Sequence, residues 1–110
     1  MDAQSLAQKI VAEFGTNDVY EIAGEAGVKI VYEDWYPVTI GEYEKRTKTI
    51  RVNRRALEQN KGDFENKRNL EKKIIAHELG HFFAIDLNFD KTQEEVFARE
   101  FAESLTKNIE

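Results

Sequence analysis

The stretch Ile74-Ile75-Ala76-His77-Glu78-Leu79-Gly80-His81-Phe82-Phe83 decides how the chain is read. It is apolar enough to lie at the centre of a small core, yet it carries both of the protein's histidines, at positions i and i+4. On a helix such residues project from one face about one turn apart, so both imidazoles can reach a single metal ion. Glu78 stands beside that face, within reach of a water next to such an ion. Two imidazoles and a carboxylate in an apolar helix are costly to desolvate without a partner, which weighs against a chance polar patch. The pattern H-E-x-x-H therefore points to metal-assisted hydrolysis, with Zn2+ as the expected ion.

Working outward, the helix that carries the motif is expected to start near Asp63, Asn66 or Asn69, each a good cap, and to run to about Asn88. Leu70 and Ile74 mark its buried stripe, and from Ile74 onward it is apolar nearly all round, as a central helix should be. Gly80 lies in its interior, where glycine is about 1 kcal/mol worse than alanine. Such a glycine permits close backbone packing, and the expected neighbour is a sheet.

That sheet precedes the motif. From Val28 the apolar period changes from 3.6 to 2: Val28, Ile30 and Tyr32 alternate with Lys29, Val31 and Glu33. After a turn at Trp35-Tyr36-Pro37, residues 38–44 read as a second strand. Residues 47–53 read as a third, with Ile50 and Val52 facing in. The short link through Lys45 and Arg46 predicts a hairpin between the last two, and the whole is expected to be a three-stranded antiparallel sheet. Residues 54–61 read as a short helix broken by Gly62. At the N-terminus, residues 2–14 form a first helix with Leu6, Ile10 and Phe14 on one face and Gly15 as its stop. Asp18-Val19-Tyr20-Glu21 opens a second that ends at Gly27. Neither carries chemistry.

Composition narrows the options. At 110 residues with 41% hydrophobic and 11% aromatic content, the chain supports one domain, 1–110, around one core. Cysteine is absent, so any metal must be held by histidine and carboxylate. No apolar run approaches a membrane span and the N-terminus lacks a signal-like segment, so a cytoplasmic protein without membrane contact is the expectation. The net charge of −5 argues against direct nucleic-acid binding. Lys45, Arg46, Lys48, Arg51, Arg54 and Arg55 form a local basic run, read as a solvated strand face and turn rather than an anion site.

A catalytic zinc takes three protein ligands and keeps one position open. His77 and His81 supply two, Glu78 is the candidate general base, and the third must be a carboxylate. After a turn at 88–91, residues 92–108 read as a last helix with Phe97, Phe101 and Leu105 as its stripe, and its start should fold back beside the motif. Glu94 and Glu95 are the candidates there, and Glu95 shares a face with the small residues Ala98 and Ala102. A competing role exists: Thr92-Gln93-Glu94-Glu95 fits a capping box with Glu95 as its return partner, whereas a cap at Asp90 would leave Glu95 in the helix body.

These residues together resemble a known family. His77-Glu-Leu-Gly-His81, after a strand Ile50-Arg-Val-Asn53 and before Glu95-Val-Phe-Ala98-Arg-Glu-Phe101-Ala102-Glu-Ser-Leu105, is similar to the ImmA/IrrE-type metallopeptidases. That family's pattern is H-E-L-G-H followed by E-x-x-A-N-x-F-A-x-x-L-L. The segment from Ile22 to Tyr32 also resembles its helix-to-strand junction, so the likeness spans about residues 18–105. It implies an α+β zincin-like, gluzincin-like minimal metallopeptidase core with His77, His81 and Glu95 as zinc ligands and Glu78 as the catalytic base. It also implies a protein substrate, a transcriptional repressor of a phage, prophage or other mobile element. In zincins a sheet edge lines the groove, and the 47–53 strand is the expected edge. The chain departs from the pattern at Arg99, where the family has asparagine; Arg99 could pair with Glu95 or Glu103. The alternative reading is a non-catalytic, zinc-stabilised protein-binding module.

Overall fold

Aspartate or asparagine opens each helix of the described residues, because a short side-chain oxygen can accept from first-turn N–H groups that have no helical partner. The structure, a computed structural model, describes residues 2–35, 39–59 and 62–107. Asp2 accepts from the Ser5 N–H at 2.7 Å and starts α1 (Ala3–Phe14). Asp18 does the same for α2 (Val19–Ala26), which Gly27 closes at φ 76°, a left-handed backbone that glycine tolerates. After the strands β1 (Lys29–Glu33), β2 (Gly41–Glu44) and β3 (Thr49–Asn53), Asn53 caps α3 (Arg54–Glu58). Asp63 caps α4 (Phe64–Phe83), and Asp90 caps α5 (Lys91–Leu105). Of the expected turn, Tyr36 and Pro37 lie outside the described residues, as do Val38, Lys61 and Asn108; three elements are shorter than expected, β2 beginning only at Gly41, α3 ending at Glu58 and α5 at Leu105.

The protein is α+β, but its sheet is mixed rather than antiparallel. The strand order is β1-β3-β2, with β2 antiparallel to β3 as the hairpin predicted and β1 parallel to it. The strand expected to be an edge, β3, is therefore the centre. The reason lies in the side chains: Ile50 and Val52 of β3 are fully buried, whereas β1 and β2 carry Lys29, Glu33, Glu42 and Glu44 and take the solvent-facing edges. On the outer face Arg51 ties the three strands together, its guanidinium 2.6 Å from Glu33 and 2.9 Å from Glu42. Arg54 pairs with Asp34 at 3.3 Å. Part of the basic run is thus neutralised by the sheet's own acids.

Helix α4 lies at the centre, touching α2, α3, α5, β2 and β3, while α1 backs α5. Ile22, Ile75, Leu79 and Phe101 are buried at the joins. The helix ends at Phe83, five residues before the expected Asn88. The chain there tightens into turns, Ile85 N–H to Phe82 C=O and Leu87 N–H to Ala84 C=O, and Asn88 takes a left-handed φ of 57° that a helix cannot continue. Among the described residues no helix is long and apolar enough to cross a membrane.

Gly80 does permit close packing, but its neighbour is α5, not the sheet. A Cβ on Gly80 would lie 2.7 Å from Ala98 Cα and 3.1 Å from Ala98 Cβ. The glycine that meets the sheet is in the sheet itself: a Cβ on Gly41 would lie 2.5 Å from Ile74 Cγ2. Replacing Gly80 by alanine gains about 1 kcal/mol of helix propensity, yet the obstacle is backbone and cannot swing aside. The expected result of Gly80→Ala is net destabilisation of about 1–3 kcal/mol in urea or thermal unfolding; a stabilised protein would contradict this packing.

Candidate metal centre

Two helices build the site. On α4 the spacing of His77 and His81 puts both imidazoles on one face, ring centroids 5.1 Å apart. On α5 the position of the cap decides which acids face them. Asp90 accepts from the Gln93 N–H at 2.8 Å and the Gln93 side chain accepts from the Asp90 N–H at 3.0 Å, a complete capping box. The competing box from Thr92 to Glu95 is excluded, and Glu95 lies in the helix body. With Gly80 against Ala98, the second turn of α5 is held close to the histidines.

Glu95 bridges them. Its Oε1 is 2.7 Å from His77 Nε2 and its Oε2 is 3.2 Å from His81 Nε2. His77, His81 and Glu95 form a group whose ligand atoms all lie within 4.8 Å of one another, and this group could hold a metal ion. Glu94 is placed differently. Its Oε2 meets the other nitrogen of His81, Nδ1, at 2.8 Å. Both candidate acids are therefore used, Glu95 on the shared metal side and Glu94 behind one ring.

The donor set fits a divalent metal on chemical grounds. His81 presents one ring nitrogen to each acid, Nδ1 to Glu94 and Nε2 to Glu95. With a cation on the Nε2 side, the single proton sits on Nδ1 and is donated to Glu94, the carboxylate–histidine arrangement that orients metal-bound rings. Two imidazole nitrogens and one carboxylate oxygen suit zinc, and the described residues bring no fourth donor into the group.

Glu78 is only 7% exposed, on the wall beside the histidines. Burial pushes its carboxyl up to about 7; the neighbouring His81 opposes the shift, while Glu95 and Glu42 add to it. A cation in the site would draw it back toward the charged form. Gly41 borders this carboxylate: a Cβ there would stand in ordinary contact with Glu78 Oε2, at 3.6 Å, while clashing with Ile74.

In front of these groups lies a groove of about 660 Å³. Besides the site residues, its walls include Gly41, Glu42 and Tyr43 from β2 and Ile85 and Phe89 from the α4–α5 turn. Hydrophobic periodicity does not reveal the strand order that puts β2 and Gly41 at the groove. Glu94 and Glu95, alternatives for one ligand position by sequence, contact different nitrogens. Arg99, expected to pair with Glu95 or Glu103, makes no ion pair among the described residues. No family model, curated protein or solved structure matches the chain.

The two acids should separate in zinc titrations. Zinc is expected to raise the thermal midpoint by mass action and a chelator to reverse it. Glu95→Gln should abolish the shift, while Glu94→Gln should weaken zinc binding on the order of 10- to 100-fold. Equal effects of the two substitutions would contradict the assignment.

Proposed function

We propose that the protein is a zinc-dependent metallopeptidase in which Glu78 activates water for attack on a peptide bond of a protein substrate. The single observation that carries this reading is the convergence of three donors, His77, His81 and Glu95, beside a buried carboxylate at the wall of an open groove. The likeness of the sequence to ImmA/IrrE-type peptidases supports it, and the α+β architecture with a central H-E-x-x-H helix is in keeping with a zincin-like core.

In this reading His77, His81 and Glu95 hold the ion. Bound there, zinc supplies Lewis acidity toward a carbonyl oxygen and toward water. Glu78 accepts the proton that water loses on attack and returns it to the departing amine. Glu94 keeps the His81 ring turned so that Nε2 faces the site. Burial of Glu78 removes competing solvent from the proton's path. An extended substrate segment can align along the free edge of β2, which borders the groove, in place of the 47–53 strand that the sheet order makes central. The substrate class implied by the family likeness is a transcriptional repressor.

The alternative, a zinc-stabilised binding module, has one feature in its favour: the donor group joins α4 to α5. A structural zinc site, however, is closed by four protein ligands, and three leave a position open. Glu78→Gln decides between the two. The expected result is unchanged zinc content with peptide hydrolysis reduced on the order of 10²–10⁴-fold. Hydrolysis that survives the substitution would overturn the mechanism.

A further inference from the structure

On the side of His77 away from β2, a second cleft of about 380 Å³ lies between α4 and α5. Its floor is Ala102 and the buried Thr106, whose hydroxyl is already used on the Ala102 carbonyl at 2.7 Å. Three cations line it: Lys73 from α4, one turn before His77; Arg99 from α5, one turn after Glu95; and Lys107 just past the end of α5. His77 closes the end nearest the metal group, so the cleft and the candidate centre share a wall.

Charged residues on a helix surface are ordinarily a solvated face. Two observations set this cluster apart. Among the described residues the one acid lining the cleft is Glu103, which stands four residues from Arg99, where a helical pair readily forms. Yet among the described residues Lys73, Arg99 and Lys107 make no ion pair, with Glu103 or any other acid. In addition, the sign of charge reverses across the histidines: the β2-side groove carries Glu42, Glu78 and Glu94 with Lys45 as its only lysine or arginine. A chain segment crossing the candidate centre thus meets acids on one side and unpaired cations on the other.

We propose that this cleft is a subsite for a carboxylate of the substrate, held by Arg99 and Lys73 within a few residues of the scissile bond; this rests on the peptidase reading above. Arg99, the guanidinium at the position where the resembled pattern has an uncharged amide, supplies the planar two-pronged donor that suits a carboxylate. The carboxylate comes either from an Asp or Glu side chain or from the substrate's own C-terminus, the same chemistry from two sources. Because the cations are exposed, the preference is modest, on the order of three- to tenfold, and weakens as salt rises.

The test uses the full zinc-loaded chain and three acetylated peptides: tetra-alanine with a free C-terminus, its C-terminal amide, and the amide with one alanine replaced by glutamate. Titrations followed by backbone amide shifts at Lys73, Arg99 and Ala102 should respond to a carboxylate-bearing peptide and not to the plain amide. Which of the two carboxylates acts tells terminus from side chain. Arg99→Glu, and the milder Arg99→Gln, should lower that affinity three- to tenfold with zinc content unchanged. Equal responses to all three peptides, no response to any, or indifference to Arg99 would overturn the proposal. A mixed peptide library then separates the two readings. Cleavage with an acidic residue or free terminus favoured on one side of the cut supports both, and cleavage without that preference overturns the subsite. Carboxylate binding without any cleavage keeps the subsite as an anion site and overturns the peptidase reading.

Discussion

The approach of α5 to α4 at Gly80 and Ala98 is the contact on which the site depends. Neither helix alone holds three metal donors: α4 offers two imidazoles, and α5 offers a carboxylate that must arrive within hydrogen-bonding distance of both. A side chain at Gly80 would meet the Ala98 backbone at 2.7 Å and push α5 away from α4, and with it the Glu95 carboxylate that now lies 2.7 Å from His77 and 3.2 Å from His81. The glycine weakens the helix by propensity and is compensated by tertiary packing, the usual order of strength in proteins. A second glycine acts in parallel on the other side, where Gly41 lets β2 press against Ile74 next to Glu78. The candidate centre is thus bounded by two places where a missing side chain permits close approach.

How much of this was legible in the sequence follows from the range of each interaction. Local signals read well: the helix opening at Asp18, the stops at Gly15 and Gly27, the hairpin of β2 and β3, and the burial of Ile50 and Val52 all rest on neighbours a few residues away. The spacing of His77 and His81 belongs here as well. Among local features the end of α4 was misplaced, at Phe83 rather than Asn88; the other failures were long-range. The parallel pairing of β1 with β3 and the identity of Gly80's neighbour depend on which surfaces meet after the chain has folded back, and periodicity is silent on that. The ambiguity at Glu95 lay between the two. Two overlapping capping boxes were written into residues 90–95, and Asp90 with Gln93 is the pair formed, which releases Glu95 to face the histidines.

Glu94 and Arg99 show how neighbouring residues on one helix divide the work. Glu94 contacts His81 from behind, Glu95 faces both histidines, and Arg99 lies one turn further along with no acid engaged among the described residues. The acids of the sheet show the contrast: Glu33 and Glu42 are drawn onto Arg51 and hold the three strands together. Among the described residues, charge is therefore paired on the sheet's outer face and unpaired at Lys73, Arg99 and Lys107 in the cleft behind His77.

X-ray absorption at the zinc edge is the sharpest probe of the proposal that His77, His81 and Glu95 hold zinc. The expected first shell has two imidazole nitrogens with oxygen at about 2.0–2.2 Å, in a site of low coordination number, and the imidazole signal should be lost when both histidines are replaced. A six-oxygen shell without imidazole, the mark of zinc resting on surface acids, or no zinc retained after loading, would contradict it.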